Sequence, residues 1–102
     1  MLDQHKFFAR YNRWANQTLY AACDRLDDRA YYADRKAFFG SIHNTLNHLV
    51  VTDRIWLARI EGLPNPPYAL NQVLYAGRRE LRAARAAEDE RLIRVVGAIA
   101  PE

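Results

Sequence analysis

The stretch SIHNTLNHLVVTDRIWLARI, residues 41–60, carries the clearest apolar pattern in the chain. Its apolar residues recur at alternating steps of three and four, which is the a/d repeat of a helix that packs against other helices. The pattern predicts a helix at about residues 36–61, and Gly62 is a residue type that commonly ends helices. The predicted seam consists of Phe39, Ile42, Leu46, Leu49, position 53, Trp56 and Ile60.

Two further segments repeat apolar residues at helical spacing and predict helices at about residues 2–26 and 71–98. The Asp-rich stretch DRLDDRAYYADRK, residues 24–36, separates the first two helices, and Asp34 is a candidate N-cap for the second. Three prolines within GLPNPPYALN, residues 62–71, stiffen the other connection. Three long helices in residues 1–102 predict a single all-α domain of the bundle type.

The first and third helices each have a stripe that we expect to face the core. The first stripe consists of Phe8, Tyr11, Ala15, Thr18, Leu19, Ala22 and Leu26. The third consists of Leu74, Leu81, Ala84, Leu92, Val95 and Ile99. Arg85 and Asp89 lie one turn apart in the third helix, and we interpret them as a pair that modestly supports the helix.

The composition excludes several classes of protein. The net charge is +3, with 13 Arg against 2 Lys, but the arginines are interleaved with Asp and Glu, so a solvated helix surface is favoured over a nucleic-acid interface. The single cysteine, Cys23, has no internal disulfide partner, which indicates a reducing cytoplasm. The N-terminal residues lack the apolar core and cleavage site of a signal peptide, so we expect none, and no apolar run is long enough to predict a membrane span.

Asp53 stands out because it occupies a seam position where hydrocarbon is expected. A buried carboxylate is costly unless it is paired, hydrogen-bonded or bound to a metal. We expect its partner on another helix, for instance an Arg, His or Tyr of the first segment. A role within a functional site is the alternative.

His48 lies on the flank of the seam, beside Thr45, Thr52 and Ile55, where a side chain can face the gap between two helices. Such a histidine serves either as hydrogen-bonded packing or as a ligand. His43 lies on the opposite flank, so one metal ion cannot readily use both rings. The sequence contains no HxxxH, HExxH or CxxC motif and predicts neither a self-contained zinc site nor a catalytic residue.

Three stretches together resemble the DinB/YfiT-like family of damage-inducible metalloproteins. They are YNRWANQTLYAAC at residues 11–23, SIHNTLNHLVVTDRIWLARIEG at residues 41–62, and the segment ELRAARAAEDERLI at residues 80–93. The resemblance implies a four-helix bundle, usually dimeric, with a divalent metal such as zinc or nickel. It also implies a cytoplasmic protein related to transferases that use low-molecular-weight thiols. In the motif NHLVVTDRIW, His48 matches a metal ligand of the family, with Asp53 and Trp56 as accompanying motif residues.

The chain departs from the family pattern at its end. Relatives continue into a fourth helix with an HxxxH pair, whereas this sequence stops at Glu102, so we expect the fourth helix and two of three metal ligands to be missing. His48 would be the single surviving ligand, and no metal need be bound at all. Three apolar stripes would leave a groove open, which predicts a homodimer that covers it.

Three functions therefore stay open. The first is a metal-binding protein of the thiol-dependent transferase class, and the second is a non-catalytic helical dimer that acts as an interaction module. Nucleic-acid binding is the third and has the weakest support, because the arginines show no one-sided clustering. No membrane association is expected.

Overall fold

The computed structural model describes residues 2–99, with side chains from Gln4 onward, so Glu102 lies outside the described residues. These residues form four helices, α1 (Leu2–Asp24), α2 (Asp28–Tyr32), α3 (Ile42–Glu61) and α4 (Arg78–Ala98). The all-α prediction is confirmed. The expectation of a missing fourth helix is not supported, since the described chain has four helices. The apolar pattern does not predict α2, because five residues are too few to show an apolar period.

Helix α3 begins six residues later than the predicted start near residue 36. The residues before it form a tight turn, with positive φ at Lys36 and Gly40, and the carboxylate of Asp34 accepts from the Lys36 backbone N–H at 2.8 Å. Asp34 therefore does not cap this helix. The cap is Ser41, whose Oγ accepts from the Asn44 backbone N–H at 3.0 Å. Gly62 ends the helix in the left-handed conformation, φ +73°.

Helix α4 also begins later than predicted, at Arg78 rather than near residue 71. Residues 63–77 have no regular secondary structure, because three prolines in 64–67 and the restricted residues before them disfavour a helix there. Leu74, predicted in the third helical stripe, instead packs against the core from this connection. Tyr75 does the same.

Helix α4 is the central element: within residues 2–99, α1 and α3 each pack along α4, and α2 packs against α3. The apolar core lies at one end, where the C-terminal part of α1 meets the N-terminal part of α3. It consists of Tyr20, Cys23, Tyr31, Leu46, Val50 and Leu81. Leu81 and Ala84 are buried on α4 as predicted, but that helix also buries Arg85, Glu88 and Asp89.

The predicted stripe of α1 is mostly exposed, whereas the predicted seam of α3 is divided: Leu46 lies in the core and Ile42 packs against it, but the C-terminal members are exposed. On α3, Leu49, Trp56 and Ile60 face outward. The helix is rotated because its contacts with α4 use the neighbouring face, where Arg54 donates to Glu88 at 3.2 Å. The face that α3 buries consists of His43, Leu46, Asn47, Val50, Val51, Leu57 and Ala58.

Helix α1 is rotated in the same way. It packs on α4 through Ala9, Tyr20 and the amides of Asn12 and Asn16, whose hydrogen bonds to α4 hold the polar side of α1 inward. Its predicted stripe is left in contact with solvent. Exposed members are Phe8, Tyr11, Thr18, Leu19 and Ala22.

Candidate functional site

A buried polar cluster joins the three long helices. Arg85 Nε donates to Asp89 Oδ1 at 3.1 Å, and Arg85 Nη2 lies 2.5 Å from Asp53 Oδ2. Asn16 and Asn12 of α1 donate to the same Asp89 oxygen at 2.9 and 3.3 Å. The spacing of Arg85 and Asp89 predicts a pair that supports the helix, but both side chains lie in the interior. Two carboxylates share one guanidinium here.

The structure thus places the partner of Asp53 on another helix, as expected. That helix is α4 and not the first segment, which the sequence analysis gave as an example. Asp53 itself lies at the border between the buried face of α3 and its exposed apolar strip. Its side chain is 39% exposed, while that of Arg85 is 5% exposed. Asp53 therefore connects the interior cluster to the surface.

Tyr20 lies beside this cluster and has an unusual hydroxyl. It is 5% exposed, and its Oη has no hydrogen-bond partner among the described residues. Burial raises the pKa of Tyr20 to about 12, so the hydroxyl stays protonated at neutral pH. A small cavity of about 40 Å³ adjoins it, lined by Asn16, Gln17, Tyr20, Arg82, Arg85, Ala86 and Asp89.

His43 forms a second buried network, which the sequence reading did not find. Its Nε2 lies 2.7 Å from the Tyr75 carbonyl, so Nε2 carries the proton and donates. Its Nδ1, at 2.7 Å from Tyr31 Oη, then accepts the phenol proton. Asn47 completes the network by accepting from the Tyr75 backbone N–H at 3.0 Å. These contacts fasten the 63–77 connection to α3, which indicates a structural role.

His48 is half-buried and held in a defined orientation. Its Nδ1 lies 2.7 Å from the Leu70 carbonyl, which can only accept, so Nδ1 donates and the neutral ring keeps its lone pair on Nε2. The ring stacks on Phe39 with the centroids 4.1 Å apart. An N–H bonded to a backbone carbonyl is the arrangement that orients many metal-binding histidines.

The residues around His48 do not complete a metal site. Among the described residues, no group of three or more His, Cys, Asp or Glu side chains is placed to hold a metal ion. Asp53 is engaged by Arg85, and Trp56 lies on the exposed strip with the Arg59 guanidinium 5.1 Å from its ring centroid. Asp53 thus belongs to the ion-pair cluster and Trp56 to the exposed strip, and the expectation that His48 is a metal ligand stays a prediction.

Large apolar side chains are exposed along α1 and α3, and they are here called the open apolar face. Its members are between 40% and 60% exposed. They are Phe7, Phe8, Tyr11, Trp14 and Leu19 of α1 with Leu49, Trp56 and Ile60 of α3.

Two cavities are lined in part by these side chains. A cavity of about 230 Å³ is lined by Leu19 and Cys23 of α1 and by Ile42, Thr45, Leu46 and Leu49 of α3, among others. Another, of about 290 Å³, is lined by His5, Phe8, Ala9, Asn12, Leu92 and Val96. Within the described helices, none combines the length and apolar character needed to cross a membrane.

Comparison with known proteins gives one family. The profile of the DinB family matches residues 1–99, which is nearly the whole chain. No curated protein and no solved structure matches it. The chain is a member of the DinB family.

Proposed function

We propose that this chain is a non-catalytic interaction module that pairs with a second copy of itself through the open apolar face. The observation that carries the proposal is the exposure of eight large apolar side chains along α1 and α3, of which Leu19 and Leu49 line one cavity between the two helices. Exposed apolar patches of more than a few hundred Å² mark interaction sites in water-soluble proteins. The aromatic ring stacks of Phe7 on Tyr11 and Tyr11 beside Trp14 add the residue types enriched at interface centres.

A second copy is the favoured occupant because the face is self-complementary in charge. Its α3 strip contains the carboxylate of Asp53, and its α1 surface is bordered by Lys6 and Arg10. In a two-fold dimer, Asp53 of each copy can face the Lys6 and Arg10 side chains of the other copy. The same contact between unlike charges then forms twice. Helix α1 has 23 residues and is about 35 Å long. An interface along α1 would therefore be about as long as the diameter of a small domain.

The test is sedimentation equilibrium at micromolar concentration. The wild type should sediment as a dimer, and Leu19→Glu/Leu49→Glu should sediment as a folded monomer, because both leucines line the cavity between α1 and α3. The matched control Ala83→Glu/Ala87→Glu adds the same charge to exposed positions of α4 and should stay dimeric. A monomeric, fully folded wild type would refute the proposal.

We propose as a second candidate that His48 supplies one ligand to a divalent metal ion. Its Nδ1 contact with the Leu70 carbonyl and the membership of the DinB family support this reading. The remaining ligands would have to come from outside the described residues. We propose no catalytic step, because a single imidazole is not the three-ligand set that catalytic zinc uses.

A further inference from the structure

Asp53 interrupts an apolar strip. On α3 it follows Leu49 by four residues and precedes Trp56 and Ile60 by three and seven, so all four side chains share one side of the helix. One carboxylate oxygen, Oδ2, is bonded to Arg85 at 2.5 Å. The side chain is nevertheless 39% exposed, so the carboxylate also contacts solvent.

The cluster behind Asp53 neutralises it only in part. Arg85 is shared with Asp89, which is almost completely buried and lies 2.9 Å from Arg85 Nη2. The single Arg85 guanidinium therefore serves both carboxylates, so Asp53 has only a shared counter-charge. If an apolar helix covered this point, the Asp53 carboxylate would lose its water without replacement, which is strongly unfavourable. A partner on the open apolar face that brings a cation to Asp53 would offset this loss, because Arg85 is already shared with Asp89.

We infer that Asp53 selects the partner by binding a cationic side chain from the Lys6/Arg10 edge of the second copy's α1. The inference rests on the proposed dimer. Lys6 and Arg10 make no ion pair within the described part of the chain, whereas the next basic residue, Arg13, is engaged by Glu90 at 2.9 Å. Arg10 lies three residues from Phe7 and four from Trp14, so it borders the aromatic surface that the dimer buries.

A double-mutant cycle tests the pairing. Dimer dissociation constants would be measured by sedimentation equilibrium for the wild type, Asp53→Asn, Lys6→Gln/Arg10→Gln and the combined triple variant. Asp53→Asn and the edge variant should each weaken the dimer by roughly tenfold or more. The triple variant should be no weaker than either, because both changes remove the same interaction.

Two controls separate a contact from a general charge effect. Asp89→Asn removes the other carboxylate bound to Arg85 but lies away from the open apolar face, so it should change the dissociation constant less than Asp53→Asn does. Arg79→Gln/Arg94→Gln removes the same two charges as the edge variant from exposed positions of α4 and should leave the dimer intact. Urea unfolding of each variant establishes that the chain is folded.

The outcomes are distinct. A wild type that is monomeric overturns the proposed function and this inference with it. A wild-type dimer whose affinity is unchanged by Asp53→Asn, or strictly additive effects in the cycle, overturns the inference alone. Should Asp53→Asn fail to fold, salt dependence measured on the wild type and on Lys6→Gln/Arg10→Gln decides. The wild-type dimer should weaken several-fold between about 0.05 and 0.5 M salt and the edge variant should lose most of this dependence, whereas an equal salt dependence overturns the inference.

Discussion

The guanidinium of Arg85 on α4 lies 2.5 Å from the carboxylate of Asp53 on α3. This ion pair links two helices. Because Arg85 also contacts the buried carboxylate of Asp89, it connects the half-exposed Asp53 to the interior. It explains how a charged residue occupies a position that the apolar pattern reserves for hydrocarbon. It also means that the interior of this small protein depends on charge as well as on apolar packing.

Replacing Arg85 by Met should lower the free energy of unfolding by about 3–5 kcal/mol, because Asp89 is then left buried without its cation. Urea unfolding followed by circular dichroism measures this loss. The control Arg94→Met changes an exposed arginine and should alter stability by less than about 0.5 kcal/mol. A loss below about 1 kcal/mol for Arg85→Met would contradict the assignment of a buried, essential ion pair.

Two tyrosines offer a matched comparison. Tyr20→Phe removes a buried hydroxyl that has no partner among the described residues, so stability should stay the same or rise by up to about 1 kcal/mol. Tyr31→Phe removes the hydroxyl that donates to His43 and should cost about 1–3 kcal/mol. Thermal or urea unfolding of the two variants gives both values. A larger loss of stability for Tyr20→Phe than for Tyr31→Phe would show that the Tyr20 hydroxyl has a hydrogen-bond partner in solution.

Stability should fall in mild acid because of His43. Burial lowers the pKa of His43 below its ordinary value of 6.5, and the nearby Arg78 acts in the same direction, although the Tyr75 carbonyl opposes both. The unfolded chain therefore binds a proton before the folded chain does. The stability that the neutral His43 ring contributes is complete above about pH 6.5, the pKa in the unfolded chain. It is lost as the pH falls from there through the lower pKa that His43 has in the folded chain.

Urea midpoints between pH 8 and pH 4 for the wild type and His43→Gln measure this dependence. The variant should show a flatter profile below pH 6.5, and the control His5→Gln should keep the wild-type profile. If His43→Gln and the wild type lose stability in parallel, carboxylates alone cause the acid sensitivity.

Metal binding tests the role of His48. If His48 contributes a ligand, metal retained after dialysis against zinc or nickel should be lost in His48→Ala and kept in His5→Ala. Elemental analysis per protein chain gives the stoichiometry. Equal, negligible metal in all three proteins would remove the second candidate function.

The helices could largely be predicted from the sequence, but the faces that they bury could not. The apolar periods of α1, α3 and α4 located the three long elements, and Gly62 marked the end of α3 correctly. The start of α3 was misplaced because Asp34 and Ser41 are both good caps, and only the turn at Gly40 decides between them. A five-residue helix such as α2 has too few residues to show a period.

The buried faces were misassigned for a physical reason. An apolar stripe predicts burial, but it does not say whether the cover comes from the same chain. Here polar groups of Asn12, Asn16 and Asp53 contribute to the contacts with α4, and much of the predicted stripe of α1 and the C-terminal part of the α3 seam remain exposed. One signal was present in the sequence: Asp53 in an apolar seam requires a cation, and Arg85 lies four residues after Leu81, on the core stripe of α4.

The most direct test of the central claim is tryptophan fluorescence as a function of protein concentration. The chain has two tryptophans, Trp14 and Trp56, and both lie on the open apolar face. If a second copy covers this face, emission at micromolar concentration should be blue-shifted and protected from iodide quenching, and dilution should shift it to the red and restore quenching. The account would be contradicted if the tryptophan emission were red-shifted and fully quenched by iodide at every concentration while circular dichroism showed a folded chain.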